Sequence, residues 1–528
     1  MRILILSAAL LAVFTARTDA APNVREVPLT LTLRFHQQAQ LDRLVQEQAD
    51  PQSPYYRRFL TVAQFRSYFA PTPVEYAETV ASLERQGFRV TGINDNRTLV
   101  EIAGSPMLVE RTFRTPVAAI VEGATAHYYA LRPPRIPRSL PLVAVVGGLE
   151  EHQSIEAPPM AGGNGPHARL PDISRANGPD GGYGPDALLK GFDYPVTHGF
   201  DGRGVGVADV VSGPDADPDV DVFLREFGIK RLVPQTNVVL VKQPNTNLPV
   251  AEQVLSDADA EWILAAAPGV TLTDYVADGY GLWNFVATIQ KVVSDNQVDV
   301  VNLSDGGCEA LEPTVALAIS PIFEQGAAQG IAFESLQTNA GCRDPFGNGK
   351  SYPLPFPMTP ADSPYGLAVG SSNAIENGDS VVAESGWSQS GGGVSALLPS
   401  FAAQLSVPGT VPTGRNTPDF TLPGSIDGNG PSYYSYRHWL GGDPVWINSP
   451  AAGLLASYVQ MTKHRLGAFN VTLYKEFASL GYGSVFSDIT EGCETGALNH
   501  KLVCARKGYD LVTGIGSFDG YALGSRLK

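Results

Sequence analysis

The chain has 528 residues, 43% hydrophobic and 17% charged, which is apolar enough for sizeable cores and too apolar for a mostly disordered chain. At roughly 100–200 residues per domain the length predicts two or three domains, or one large domain with additions. Lys+Arg 37 against Asp+Glu 53 gives a formal net charge of -16, and with no Lys/Arg cluster this speaks against a nucleic-acid partner, whose phosphates need a basic face. The chain opens with Met1-Arg2, an apolar stretch through Phe14 and small residues at Ala20-Ala21, the pattern of a secretory signal peptide over residues 1–20 cut after Ala20. No later apolar run is long enough to span a bilayer, so an exported protein is expected, extracellular or periplasmic.

Residues 25–149 read as one block. Val27 to Arg34 alternates like a strand, and Gln40 to Gln48 reads as a helix. Pro73 to Gln86 is a second helix with Thr72 as N-cap, Pro73 at its first position and Gly87 past its end. Phe88 to Thr91 and Thr98 to Ile102 read as strands, and Met107 to Phe113 as a helix, which together predict a small α+β sandwich. Residues 150–187 are rich in Gly, Pro and Asn and read as an exposed linker, the kind of segment proteases cut.

From residue 188 to 528 the pattern changes. Val205 to Val211, Val298 to Ser304, Gly330 to Phe333 and Tyr365 to Gly370 are continuous apolar strands, with a helix at Leu282 to Ser294. Apolar strands alternating with helices predict an α/β domain with a parallel sheet covered on both faces. Four cysteines, Cys308, Cys342, Cys493 and Cys504, allow three pairings, of which the nearest-neighbour one (Cys308–Cys342, Cys493–Cys504) would staple two loops. No CxxC or HxxxH spacing supports zinc. The sequons at Asn96, Asn302 and Asn470 matter only in a glycosylating host.

The chain resembles the sedolisin (serine-carboxyl peptidase) family, of the kumamolisin type. The resemblance rests on Asp50-Pro-Gln-Ser-Pro-Tyr-Tyr-Arg-Arg-Phe-Leu-Thr61, Val109 to Phe113 and Gly147-Gly-Leu149 in the first block. In the second it rests on Gly202-Arg-Gly-Val-Gly-Val, Asp259-Ala-Glu-Trp with Ala-Ala-Ala-Pro268, Val300 to Ser304, Ser390 to Ser395, Pro418-Asp419 and Asp510 to Ser517. It implies a ferredoxin-like activation prodomain ahead of a subtilisin-like α/β peptidase domain, in a monomer whose partners are its own prodomain and a peptide or protein ligand.

In that family a Ser attacks the peptide carbonyl, a Glu takes its proton, an Asp holds the Glu, and a second Asp donates to the oxyanion. The orienting Asp maps to Asp259. The Glu belongs one helical turn earlier, and Leu255 stands there. Glu252 is the nearest upstream acid, two turns away, with a solvated first-turn acid as its plainer reading, and Asp257 and Glu261 are expected to face elsewhere. The oxyanion Asp maps to Asn339, whose amide donates at any pH but which also suits an ordinary turn. For the nucleophile, anchoring on Gly441-Gly442 or on Ala452-Gly453-Leu454 puts Pro444 or Val445 in place, and neither can attack. Ser449 is the nearest hydroxyl. Because it precedes Pro450 it reads foremost as a helix N-cap. His198 and His438 lack the setting of a conventional triad.

The family's calcium loop is matched by Ser487 to Gly492 and Ala505 to Asp510. The resemblance assigns one Ca²⁺ to Asp488, the carbonyls of Ile489, Arg506 and Gly508, and Asp510, an all-oxygen set suited to a hard cation. Asp215, Asp217, Asp219 and Glu226 mimic an EF-hand count, but Val220 replaces its glycine and Pro218 interrupts it, so a solvated loop leading into a helix at Val220 to Phe227 is expected. Gly202-x-Gly-x-Gly206 precedes its strand and is no dinucleotide fingerprint. The first functional reading is a catalytically degenerate homologue that binds peptide or partner and keeps its prodomain. The alternative is an active acid endopeptidase with Ser449, Glu252, Asp259 and Asn339 in a rearranged site, and a third class is a structural secreted module.

Overall fold

The computed structural model describes residues 26–122, 125–150, 184–241, 250–277, 281–338, 356–377, 380–387, 390–424, 433–437, 441–445, 448–493 and 503–528. The signal-peptide reading, most of the linker, Asn339, Cys342 and His438 lie outside these residues.

The first block folds as strand β1 (Val27–Leu33), helices α1 (Gln38–Gln48), α2 (Val62–Tyr68) and α3 (Pro73–Gln86), strands β2 (Arg89–Ile93) and β3 (Leu99–Gly104), helix α4 (Pro106–Phe113), hairpin β4 (Val117–Glu122) and β5 (Thr125–Ala130), and strand β6 (Val143–Gly147). Its antiparallel sheet runs β2-β3-β1-β6. Two central strands from the two halves of a strand–helix–strand repeat give the expected ferredoxin-like topology. Thr72 closes a full capping box with Glu75, and Gly87 ends α3 at φ +103°, a conformation only glycine takes cheaply. A second capping box, Thr61 with Gln64, starts α2, which the sequence reading left unassigned.

The second block opens with α5 (Pro185–Gly191), whose first three residues are the last three of the predicted linker. Pro185 at its first turn and four buried positions, Pro185, Ala187, Leu188 and Leu189, are what fix it. There follow β7 (Gly206–Val211), α6 (Asp217–Glu226), β8 (Asn237–Leu240), α7 (Val250–Ala266), β9 (Thr271–Val276), α8 (Leu282–Asp295), β10 (Val300–Leu303), α9 (Pro313–Ala328), β11 (Ala332–Leu336), β12 (Leu367–Asn377), β13 (Ser380–Gly386), β14 (Phe420–Pro423) and α10 (Pro450–Thr462). The sheet runs β13-β12-β11-β10-β7-β9-β8, with β14 also on β12, and every pairing is parallel except β12 with β13. Helices α7 and α10 pack on the face carrying Val207, Val300 and Ala332, and α8 and α9 on the face carrying Ala208, Val301 and Phe333. Both faces are therefore dry, as the apolar strands required.

The prodomain sits on the α8/α9 side. Thr98 Oγ1 donates to Gln290 Oε1 (2.9 Å), Asn96 Nδ2 to Ser294 Oγ (2.9 Å), and Gln48 Nε2 to Ala328 O (3.1 Å). The Phe59 ring lies against Gly330, where a Cβ would come within 2.7 Å of it. Cys493 and Cys504 are bonded as the nearest-neighbour pairing expected. Cys308 is disulfide-bonded too, its partner outside the described residues. The three sequons have no glycosylation role in the folded chain, because Asn96, Asn302 and Asn470 are all fully buried.

Candidate functional site

Asp259 lies in the middle of α7, buried at 4% exposure, and Leu255 one turn before it is buried at 8%. The apolar side chain thus fills the space where the resemblance requires a base. Glu252 is on the same helix, but its side chain lies outside the described residues, as do those of Pro444 and Val445. Asp257 faces away as expected, accepting from the Ala216 backbone at 2.7 Å.

Ser449 corrects its first reading. It precedes α10, yet its side chain caps nothing: its φ and ψ are helical (-54°, -25°), and an N-cap hydroxyl bonds from extended backbone. The fully buried Oγ lies close enough to Asp259 to favour its anion, without a well-formed hydrogen bond to any described residue. The structure therefore brings Ser449 and Asp259 together. A buried hydroxyl facing an acid, before a helix whose first turn holds Pro450, was the signal available for this.

Around the pair is a polar network that sequence reasoning missed. In-register pairing aligns Glu334 on β11, Asn302 on β10, Asp209 on β7 and Asp274 on β9 in one row across four strands. All four are fully buried, on the α7/α10 face. Asn302 Nδ2 donates to Asp209 Oδ1 (2.7 Å) and to Ser304 Oγ (3.2 Å), and Asn448 Nδ2 donates to Glu334 Oε2 (3.0 Å). Ser304 Oγ stands 2.8 Å from Asp259 Oδ1 and 3.1 Å from Asn448 Oδ1. One hydroxyl proton cannot serve both acceptors fully. With Asp259 ionised, either Asp259 or Asn448 is left short of a full hydrogen bond.

The electrostatics agree. Burial pushes the Asp259 carboxyl up to about 7, against the hydrogen bonds from Ser304, Ser449 and Asn302 that favour its anion. Burial, then the neighbouring charges of Asp259 and Asp274, raises Asp209 well above the carboxylate range. Burial does the same to Asp274 and Glu334. Asp209 Oδ2, Asp274 Oδ1 and Glu334 Oε1 are buried without a hydrogen-bond partner among the described residues, which disfavours a full charge on each acid. The signal in the sequence was one polar residue inside each apolar strand.

The EF-hand mimic is no solvated loop. Asp217 begins α6, three residues before the predicted start, and pairs with Arg231 at 2.6 Å, while Thr236 Oγ1 donates to Asp215 Oδ2 at 2.8 Å and Asp219 is buried. His198 stacks on Tyr521 (3.7 Å between centroids) and bonds Asp193 at 2.7 Å, so it is tied to the surface, far from a triad role.

The two loop segments that the resemblance assigns to a Ca²⁺ site meet. Gly508 N donates to Asp488 Oδ2 (3.0 Å), Arg506 N to Asp510 Oδ2 (2.9 Å), and Thr513 Oγ1 bridges Asp510 to the Ile489 carbonyl (3.5 Å). Neither carboxylate has an ion-pair partner among the described residues. Two uncompensated carboxylates beside loop carbonyls fit a hard cation.

The Pro-kumamolisin activation domain family matches residues 15–152. Sedolisin of Pseudomonas sp. (strain 101) is 26% identical over 95% of this chain and 87% of its own. This chain is similar to the sedolisins over nearly its whole length. Kumamolisin of Bacillus sp. (strain MN-32) is 26% identical over 94% of this chain and 91% of its own, and tripeptidyl-peptidase 1 of Canis lupus familiaris 24% identical over 93% and 90%. The solved structure of Pseudomonas sedolisin, a serine-carboxyl proteinase complexed with two molecules of pseudo-iodotyrostatin, matches with TM-score 0.55 at 23% identity, covering 66% of this chain and 98% of that one. The second block therefore has the subtilisin-like fold expected of it. No helix among its described residues is long and apolar enough to cross a membrane.

Proposed function

We propose that this chain is an exported, non-hydrolysing member of the sedolisin-type peptidases that keeps its prodomain and binds a peptide or protein ligand. The observation that carries this reading is Leu255. A buried leucine sits one turn before Asp259, where a carboxylate would have to take the proton of a nucleophile. Asp259 is a poor stand-in, since burial pushes its carboxyl up to about 7 and keeps it protonated in acid, and Ser449 is buried beside it. Without self-cleavage the prodomain stays attached. Asp488 and Asp510, with the carbonyls of Ile489, Arg506 and Gly508, are proposed to hold one Ca²⁺, which would close the loops that Cys493–Cys504 joins.

The experiment is the intact mass of the purified secreted precursor after incubation from pH 3 to 7, beside Ser449→Ala and Glu252→Ala. An intact precursor at every pH is the expected result. A cut within residues 157–187 that both substitutions abolish would replace this reading with a rearranged acid endopeptidase, with Ser449 as nucleophile, Glu252 as base, Asp259 as its orienter and Asn339 as oxyanion donor. One observation favours that second reading: the Ser449 hydroxyl is spent on no cap and lies beside Asp259.

A further inference from the structure

The prodomain meets the peptidase-like domain where α1 lies on α9, and the polar centre of that contact holds two acids and no base. Glu324 on α9 is 1% exposed. Gln38 Nε2, from α1, donates to Glu324 Oε2 at 2.6 Å and with its other proton to Asp42 Oδ1 at 2.9 Å. Tyr365 OH, from the residues leading into β12, donates to Asp42 Oδ1 at 2.8 Å. The second Glu324 oxygen, Oε1, is buried with no donor. The groups facing Glu324 are thus Gln38 and Asp42 from α1 and Tyr365 from the peptidase-like domain; none is a cation. No lysine, arginine or histidine among the described residues pairs with either acid, and Arg43 beside Asp42 points to solvent.

Two carboxylates at one amide without a counter-ion, one of them fully buried, oppose each other's ionisation, and the buried Glu324 is the one that keeps its proton. A proton on Glu324 Oε1 removes the conflict, because it supplies the missing hydrogen bond to Asp42. We propose that Asp42 and Glu324 share one proton as a clasp between prodomain and peptidase-like domain, closed in acid and released towards neutral pH. The titration behaviour agrees with the geometry. Burial opposes the Asp42 anion, but hydrogen bonds from Glu324, Gln38 and Tyr365 outweigh it and hold that carboxyl below its usual range. Burial first, then the bond to Asp42 and its charge, puts Glu324 well above its usual range.

The sign follows. Away from α1, Glu324 is a solvated carboxyl of ordinary acidity, so docking takes up a proton. Docking is strongest where that proton is already bound and weakens as pH rises past the ordinary carboxylate value, by about tenfold per pH unit for one proton, until docked Glu324 itself ionises. The clasp is independent of Ser449 and Asp259, so its failure and the failure of the proposed function are separate outcomes.

The test is hydrogen exchange of the intact chain from pH 4 to 8, corrected for intrinsic exchange, reading the α1 amides (residues 38–48) against the β7 and β10 amides. In the native chain α1 protection falls relative to the two strands by about tenfold per pH unit over part of that range. Glu324→Gln, neutral at every pH and still able to donate to Asp42, makes the ratio flat. If Glu324→Gln does not fold, Asp42→Asn serves: with the anion gone, burial alone keeps the proton on Glu324, and the slope spans a narrower pH range. A native ratio that is flat, or a slope that either substitution leaves unchanged, overturns the clasp.

Discussion

Asn302 and Asp209 are register partners on adjacent parallel strands, and the Asn302 amide donates to Asp209 Oδ1 at 2.7 Å in the dry interior of the sheet. Parallel sheets covered on both faces ordinarily carry aliphatic residues at such positions. Here the row Glu334, Asn302, Asp209, Asp274 puts three carboxyls and one amide there, with Asp259 above them on α7. Burial is affordable only if the acids are neutral or hydrogen-bonded.

Stability should therefore fall as pH rises. For Asp259 and Asp215, burial lifts the folded-state value to about 7, and for Asp209, Asp274 and Glu334 the direction is the same. The unfolded chain binds these protons only below about pH 4. Between there and neutrality the native state holds more protons than the unfolded one, so stability drops with rising pH and is highest in acid. Glu75, which hydrogen bonds from Thr72 hold near 2, acts in the opposite sense only below about pH 4. Urea midpoints at pH 4.5, 6 and 7.5 should decline in order, and Asp209→Asn should flatten the decline. A midpoint rising towards pH 7.5 would contradict the neutral-acid row.

Ser304 is the hinge of the hydrogen-bond count, since Asp259, Asn302 and Asn448 all meet its hydroxyl. Ser304→Ala should cost about 1–3 kcal/mol, the price of leaving buried polar groups unsatisfied. Denaturant titration at pH 4.5 reads this directly. A cost near zero would mean that the network is looser than its geometry implies.

Thr72, Pro73 and Gly87 show what was legible in the sequence, whereas the Thr61-x-x-Gln64 box that starts α2 went unread. Caps and breakers act within four residues, so α3 and its limits could be read from the chain alone. The apolar strands β7 and β10 were legible for the same reason, and with them the fold class. The β4/β5 hairpin was not, because Val117–Glu122 and Thr125–Ala130 carry no clear alternation of apolar and polar residues. The acid row was invisible as a row: Asp209, Asp274 and Glu334 are up to 125 residues apart, and only the register of the sheet aligns them. Ser449 was misjudged because Ser-Pro is a strong local cap signal, while its actual neighbour, Asp259, comes from another helix.

The calcium loop gives a prediction independent of the acid row. Ca²⁺ at about 100 times its dissociation constant should stabilise the chain by about 2.7 kcal/mol if it binds only the folded form. Chelation should lower the melting temperature, and Asp488→Ala and Asp510→Ala should each remove the response. A melting temperature indifferent to both Ca²⁺ and chelator would remove the metal from the reading.

The sequons offer a test of the fold without any ligand. Asn96 donates to Ser294, Asn302 to Asp209, and Asn470 to the Pro364 carbonyl at 2.9 Å, all from fully buried positions. A glycan at any of them would have to be accommodated in a packed interior. Expressed in a glycosylating host, the folded secreted chain should carry no mass at these three sites. Glycan found on folded protein at Asn302 would show that the central sheet is not packed as described.

Arg415 and Asp419 are the strongest single structural bet. The guanidinium meets the carboxylate through two bonds, 2.7 and 2.6 Å, with both side chains fully buried. Asp419 Oδ2 also accepts from the Ala368 backbone of β12 at 2.8 Å, and Arg415 donates to the Asn416 carbonyl at 2.6 Å. The pair therefore ties the loop before β14 to β12 inside the sheet. Replacing a buried ion pair whole can be neutral, but removing one partner leaves a charge in the dry interior. Asp419→Asn should cost about 3–5 kcal/mol, and the double change Arg415→Met with Asp419→Asn should recover part of it. Equilibrium unfolding of the single and double variants at one pH decides the matter. A double variant no more stable than Asp419→Asn alone would show that the backbone bonds of Arg415, and not its charge, hold this loop.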